Sequence, residues 1–409
     1  MRIAGVIEGF YGPPWSHAER LGWIDRIAEA GMTHYVWAAK AEPRHRDRWR
    51  EPFGADELAG FTELADRRVE VTLAVGLTPG AEATSDDLID KLAPAVHAGA
   101  GVVVLSCDDL PALDAGSAHR DLAHALVHHL GVPVWIVPTH YSGIDDSPYL
   151  RSLCDGLDPA VEVMWTGIDV VNDRIDAADA YRRAVLTGRA PLVWDNTPVN
   201  DGLMLEALHL GPLAWRDPAL RDACSGALWN PMQFAEASIA TFVSATAWSH
   251  GDDPGSAWET FVRSRGWHAL ALATAFRSDP HWPGDDPPAA WWHELAAGLP
   301  HHAADVGLDD GVQRWIDAAR EGAGIAIDAL ALLERVATRG KDTGSTLRQF
   351  ALLARWRTWH RLEVLTFGGG PRARPVLGQD ANGHFVARAA SFEFDESTVD
   401  LLVRRALHS

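Results

Sequence analysis

Two neighbouring carboxylates stand where a reaction can use them. Asp108 and Asp109 directly follow the apolar, β-branched run Val102–Ser106. Consecutive residues on an extended chain point opposite ways, so this pair need not share one proton. One carboxyl, partly desolvated, can donate a proton while the other stays ionised, and the two can reach different atoms of one substrate. The dipeptide alone carries little, because Asp-Asp begins at 86, 108, 145, 252, 285 and 309, and such pairs are commonly solvated caps or turns. Position separates this one, since it alone directly follows a strand-like apolar run.

More polar and aromatic groups stand at the ends of similar runs. Ile3–Glu8 leads into Gly9-Phe10-Tyr11-Gly12, His34–Ala38 into Lys40, and Val69–Val75 into Thr78-Pro79-Gly80. Pro133–Val137 is followed by Pro138-Thr139-His140-Tyr141, and Val161–Trp165 by Thr166-Gly167. Pro191–Trp194 runs into Asp195-Asn196 with Asn200-Asp201 beyond, and Ala227–Trp229 into Asn230-Pro231. Carboxylates, amides and aromatic rings at one rim suit a polyhydroxylated ligand: indole faces stack on sugar C–H faces, and Asp and Asn exchange hydrogen bonds with hydroxyls. Each residue also has a plainer reading. Trp165, Trp194 and Trp229 can be core aromatics, Lys40 a surface lysine and Tyr141 a packed tyrosine. His140 is a candidate metal ligand, but no His-x-His accompanies the first run and no His-Glu-x-x-His occurs, so no metal or cofactor is expected. No Gly-x-Ser-x-Gly elbow or P-loop supports an α/β-hydrolase triad or an NTPase.

These positions need a scaffold that brings the ends of its strands to one rim. The eight runs recur roughly every 32 residues, the length of one βα unit. They are apolar on both faces, as a fully covered parallel sheet demands. The stretches between them read as helices: Ser16-His17-Ala18-Glu19 is a capping box ahead of Leu21, Ile24 and Ile27, and Ser85-Asp86-Asp87 opens a helix carrying Leu88, Leu92 and Val96. The spacing predicts an α/β fold, a (β/α)8 TIM-like barrel over residues 1–240, with its chemistry on the loops after the strands. An open doubly wound sheet is the alternative, but no Gly-x-Gly-x-x-Gly follows the first run. From about residue 235 the strand signal stops. Phe234–Trp248, Ala257–Phe276, Ala289–Leu299, Val312–Thr338 and Thr346–Phe367 read as helices, so residues 241–409 are expected to form a C-terminal helical domain packed on the barrel. In the tail, His384–Arg388 reads as a short strand or as irregular chain, and Glu396–Leu407 as a final helix.

Composition narrows the class. The 409 residues carry 36 Lys and Arg against 56 Asp and Glu, a net charge of −20, and 47% are apolar. Such a chain is too apolar for general disorder, and its acidic balance argues against nucleic acid or an anionic membrane as partner. Cys107, Cys154 and Cys224 are too few and scattered for a disulfide framework or a zinc site and suit a reducing compartment. The first residues, Met1–Val6, lead straight into a strand-like run rather than a secretory leader. No apolar run approaches the ~20 residues needed to span a bilayer. A cytoplasmic location is therefore expected, with no membrane partner. The oligomeric state stays open.

In order and spacing, the rim segments resemble the catalytic domain of glycoside hydrolase family 84, the β-N-acetylglucosaminidases that include the O-GlcNAcases and related bacterial hexosaminidases. The segments that carry the resemblance begin with Glu8-Gly9-Phe10-Tyr11-Gly12-Pro13-Pro14-Trp15, then Ala39-Lys40 with His45-Arg46 and Trp49-Arg50-Glu51, and Asp108-Asp109. They continue through Pro138-Thr139-His140-Tyr141, Trp165-Thr166-Gly167, Trp194-Asp195-Asn196 with Asn200-Asp201, and Asn230-Pro231. Together they cover about residues 1–235; the helical part is similar to the bundle that follows the barrel in that family by type only. The resemblance implies a retaining, substrate-assisted hydrolysis of terminal β-linked N-acetylglucosamine (GlcNAc) through an oxazoline intermediate, without a cofactor. By it, Asp109 is the general acid and then the base, and Asp108 accepts the acetamido N–H. Tyr141 donates to the acetamido oxygen or to the departing group. Trp194 walls the acetyl pocket, and Gly9, Lys40, Asn196, Asp201 and Asn230 hold the sugar. Three positions depart from the family pattern: Ala41-Glu42 after Lys40, His140 beside Tyr141, and Cys107 before the aspartates. They bear on the shape of the pocket and so on the preferred aglycone. Two other readings remain on the sequence alone: a catalytically weak GlcNAc-binding barrel, and a metal-dependent hydrolase using His140, Asp108 and Asp195.

Overall fold

A computed structural model describes every residue except 109–115, 214, 277–280, 285, 372–376, 381–384 and 388–393. Among the described residues, eight strands run parallel and close into one barrel. They are β1 (Ile3–Glu8), β2 (His34–Trp37), β3 (Thr72–Leu77), β4 (Val102–Ser106), β5 (Val134–Val137), β6 (Val161–Trp165), β7 (Leu192–Asp195) and β8 (Gly226–Trp229). Closure is made by β1 pairing β8, with Ala4 beside Ala227 and Val6 beside Trp229. The alternating helices are α1 (His17–Glu29), α2 (Ala55–Arg67), α3 (Ser85–His97), α4 (Gly116–Leu130), α5 (Pro148–Cys154), α6 (Ala177–Thr187), the short α7 (Leu220–Ala223) and α8 (Ile239–His250). The capping box at Ser16 and Glu19 forms, each side chain meeting the other's backbone N–H.

Alternation along each strand builds two cores. One face of every strand points out to the helices, where Val6, Tyr35, Val75, Val103, Ile136, Val163, Val193 and Ala227 join one apolar cluster. The other face fills the barrel with Ile7, Val36, Ala74, Val104, Trp135, Met164, Leu192 and Leu228. Trp135 blocks the interior and packs against His34, with ring centres 5.2 Å apart. The barrel interior is thus packed, and the loops after the strands form the rim at their C-terminal ends.

After β8 the chain is mostly helical. α8 is buried on most of its sides, Thr241, Ser244 and Ser249 included. Its Phe242 and Trp248 belong to the barrel's outer core, while Ala240 faces a second core built on Trp258, Trp267, Trp292 and Trp315. α9 (Pro254–Ser264) and α10 (His268–Ala273) replace the single helix predicted over Ala257–Phe276. Gly266, at φ 72°, breaks the run, a conformation glycine adopts without a Cβ penalty. α11 (Ala289–Gly298) and α12 (Gln313–Arg339) follow close to their predicted spans, whereas α13 (Thr343–Trp359) starts three residues earlier and ends eight residues earlier than the helix expected over Thr346–Phe367. In the tail, the pair β9 (Gly370–Pro371) and β12 (Phe394–Asp395) and the pair β10 (Leu377–Gln379) and β11 (Phe385–Ala387) are antiparallel, and α14 (Thr398–His408) ends the chain. The strand read over His384–Arg388 corresponds to β11, with His384 and Arg388 themselves outside the described residues.

The helical part grips the segment that follows β7. Trp315 Nε1 donates to the Glu206 carbonyl (3.0 Å), Arg314 to that of Leu205 (2.6 Å) and Trp258 Nε1 to that of Leu210 (2.6 Å). That segment begins beside Asp201, at the barrel rim.

Candidate active site

A cavity of about 370 Å³ opens at the C-terminal ends of the strands. Gly9, Lys40, Asp108, Tyr141, Trp194, Asn196, Asp201 and Asn230 all line it. Asp109 lies outside the described residues. The strand pleat explains this selection. Gly9, Lys40, Asp108, Asn196 and Asn230 continue the inward-facing rows of β1, β2, β4, β7 and β8, each an even number of residues beyond an interior side chain.

Lys40 Nζ donates to Asp108 Oδ2 at 2.6 Å, and both side chains are buried. A carboxylate taken out of water needs such a counter-charge, and a charge-assisted bond of this length holds its orientation. The ammonium also stands 5.7 Å from the centre of the Trp194 ring, within range of the favourable cation–π geometry. Lys40 is therefore not the surface lysine of the plainer reading.

Trp194 forms a wall fixed on both sides. Its Nε1 donates to Asn196 Oδ1 (2.9 Å), the same oxygen that accepts from Asn230 Nδ2 (2.9 Å). Asn230 Oδ1 in turn accepts from the Gly9 N–H (3.2 Å), and Asn196 Nδ2 donates to the Val170 carbonyl (2.8 Å). This chain of amides sets which end of each Asn faces which neighbour. Gly9 is needed here for space: a Cβ on it would fall 2.3 Å from Cζ2 of Trp194.

Tyr141 is buried at the cavity wall, and its carbonyl accepts from the Thr166 N–H at 3.0 Å. Asp201 Oδ2 accepts from the Tyr11 N–H (2.6 Å), and Arg46 hydrogen-bonds the Tyr11 hydroxyl. Tyr11 and Arg46 thus line the mouth; Tyr11 stands in the rim segment after the first run and Arg46 in the family-like segment after Lys40, but the sequence singled out neither as a site residue. Val137, Val170, Val171, Val199 and Met204 supply apolar lining.

Other rim candidates point elsewhere. Glu8 faces out of the barrel, where Arg20 holds it with two bonds of 2.9 and 2.8 Å and Tyr35 donates its hydroxyl. Asp195 also faces out and takes Arg216 bidentately at 2.6 and 2.7 Å. Trp165 and Trp229 belong to the outer core, so of the three tryptophans only Trp194 lines the cavity. His140 Nδ1 meets Ser147 Oγ at 2.9 Å and its ring leans on Tyr149. His140, Asp108 and Asp195 are not gathered, and among the described residues no set of three metal-ligating side chains is. Burial, with a smaller push from Asp108, raises the Cys107 thiol well above its ordinary range, which leaves it an inert core group.

Comparison with known proteins places this geometry. The sequence profile of the beta-N-acetylglucosaminidase family matches residues 4–269. The protein O-GlcNAcases of Rattus norvegicus and Mus musculus are each 30% identical over 273 residues, 60% of this chain and 30% of theirs. The chain therefore spans about three tenths of the length of these curated relatives. Among solved structures, a mutant of the Thermobaculum terrenum O-GlcNAc hydrolase superposes with a TM-score of 0.82 at 19% identity, over 100% of this chain and 94% of that one. That likeness shows the shared fold, barrel and helical part together.

Proposed function

The chain belongs to the β-N-acetylglucosaminidase family, and from that premise we propose that it hydrolyses terminal β-linked GlcNAc with retention, the substrate's own acetamido group acting as nucleophile. The observation that carries the proposal is the Lys40–Asp108 ion pair set in the cavity lined by Tyr141 and Trp194. In this reading the sugar lies with its acetamido group against Trp194 and its N–H toward Asp108. Its hydroxyls meet Asp201 and the Asn196–Asn230 pair.

In the first step the acetamido oxygen attacks the anomeric carbon and the bond to the leaving oxygen breaks. Asp109 gives that oxygen its proton. The oxazoline ring so formed carries positive charge that the Asp108 carboxylate offsets, and Tyr141 donates to the acetamido oxygen or to the departing group. In the second step Asp109 removes a proton from water, which attacks the anomeric carbon and reopens the ring. Each carbon–oxygen exchange inverts the centre, and two restore it. Substrate-assisted enzymes of this kind need no second protein nucleophile. The net charge of −20 agrees with a neutral rather than a polyanionic substrate; a cytoplasmic setting fits the three unpaired cysteines.

The decisive experiment follows an aryl β-N-acetylglucosaminide by proton NMR. The expected first product is the β-anomer of GlcNAc, with a thiazoline mimic of the oxazoline acting as a competitive inhibitor. Initial release of the α-anomer, or no inhibition by the mimic, overturns the mechanism.

A further inference from the structure

Tyr141 sits in a short irregular segment, residues 139–143, whose backbone is held from several directions. Tyr149 Oη accepts from the Thr139 N–H (2.9 Å), the buried Arg183 donates to the His140 carbonyl (2.6 Å), and the Thr166 N–H meets the carbonyl of Tyr141 itself (3.0 Å). Those partners come from the barrel. Another comes from more than two hundred residues away in the chain. Gln379, at the end of β10, donates from Nε2 to the Thr139 carbonyl at 2.7 Å. Its Oε1 accepts from the Ser142 N–H at 3.1 Å and from Ser142 Oγ at 3.2 Å. One side-chain amide thus bridges the residues on both sides of His140-Tyr141.

We propose that Gln379 is a positioning residue for Tyr141, through which the antiparallel pair β10–β11 sets the direction of the tyrosine in the cavity. The chemistry of the contact suits an amide. Thr139 offers a carbonyl and Ser142 an N–H, so the bridging group must donate at one end and accept at the other. Glutamate has the same length but sets a carboxylate oxygen against the Thr139 carbonyl. The role rests on the catalytic reading of Tyr141 given above.

The test uses the full chain and the variants Gln379→Ala, Gln379→Glu, Tyr141→Phe and the Gln379→Ala/Tyr141→Phe double, each checked by circular dichroism for an intact fold. Amide hydrogen exchange over residues 139–143 reads the clasp without any substrate, and is expected to quicken in both Gln379 variants. Turnover of 4-nitrophenyl N-acetyl-β-glucosaminide is expected to lose about 5- to 30-fold in kcat in Gln379→Ala with KM little changed, the scale of one or two lost hydrogen bonds. Gln379→Glu should lose at least as much. In the Tyr141→Phe background the same alanine change should cost less than about twofold, since residues acting through one another are not additive. Unchanged exchange, or an equal loss with and without the tyrosine hydroxyl, overturns the proposal. A native chain that turns over no N-acetylglucosaminide overturns the proposed function instead, and the exchange arm then decides the clasp by itself.

Discussion

Lys40 Nζ lies 2.6 Å from Oδ2 of Asp108, and both side chains are buried in the lining of the cavity. Each makes the other tolerable in the barrel. Removing one member of a buried pair leaves an uncompensated charge, which costs about 3–5 kcal/mol. Lys40→Met is therefore expected to lower the free energy of unfolding by that order and to abolish most turnover. Adding Asp108→Asn in the same chain removes the stranded charge, so it should restore much of the stability and none of the activity. Urea denaturation of the three proteins checks this. A Lys40→Met protein as stable as the wild type would show that the pair is not coupled.

Gly9 and Trp194 make a second prediction, about shape. A Cβ at position 9 would overlap the indole, so Gly9→Ala must tilt Trp194 and disturb the amide chain through Asn196 and Asn230. Overpacking of this kind costs about 1–3 kcal/mol. The expected effect is a KM for aryl N-acetylglucosaminides raised by roughly tenfold or more, the kinetic equivalent of that strain. The smaller ring of Trp194→Phe should relieve part of it. If the Gly9→Ala/Trp194→Phe double variant is as impaired as the product of the singles, the clash is not the cause.

What the sequence could and could not disclose follows from the pleat. Eight apolar runs at one spacing made the barrel legible, and the inward parity of Gly9, Lys40, Asp108, Asn196 and Asn230 follows once the strand ends are known. Glu8 and Asp195 stand at the same rim in the sequence but one residue out of phase, and their arginine partners, Arg20 and Arg216, lie 12 and 21 residues further on. No local pattern announces those pairings. Gln379 was illegible for another reason: it acts through the backbone of residues 139–142, across 240 and 237 positions of chain, and a lone glutamine in an irregular tail carries no periodic signal. The break at Gly266 was readable in principle, because glycine in a helical pattern lowers its helical preference, but the apolar residues on either side continue the helical repeat.

The leaving group should reveal the role of Asp109. General acid assistance is worth roughly 10²–10⁴-fold, and an aglycone that departs unaided does not need it. Asp109→Asn is expected to slow a substrate with a basic alkyl or phenyl leaving group by that range, and one with a strongly acidic phenol far less in the glycosylation step. Asp108→Asn should slow both alike, because the acetamido group attacks in each. Measuring kcat/KM against leaving-group pKa separates the two. Equal slopes for both variants would remove Asp109 from the acid role.

Two buried histidines, His45 and His119, and the half-buried His34 should set the acid limit of the fold. Burial holds His34 and His119 down to about 4, and burial reinforced by Lys40, Arg46 and Lys91 holds His45 well below its ordinary value. In the unfolded chain each titrates near 6.5. Between about pH 4 and 6.5 the unfolded state therefore binds more protons than the folded one. The stability these groups contribute is fully present above pH 6.5 and declines as the pH falls toward 4, by up to about 1.4 kcal/mol per pH unit for each histidine. His119 is the cleanest probe: burial alone accounts for its shift, and its Nδ1 meets the Tyr149 hydroxyl at 2.8 Å. His119→Gln keeps a polar group there but cannot titrate. Its unfolding free energy, followed by urea denaturation from pH 6.5 to 4.5, should fall less steeply than that of the wild type by about 1.4 kcal/mol per unit at most. An identical slope in the two proteins would mean that this imidazole is already protonated in the folded chain.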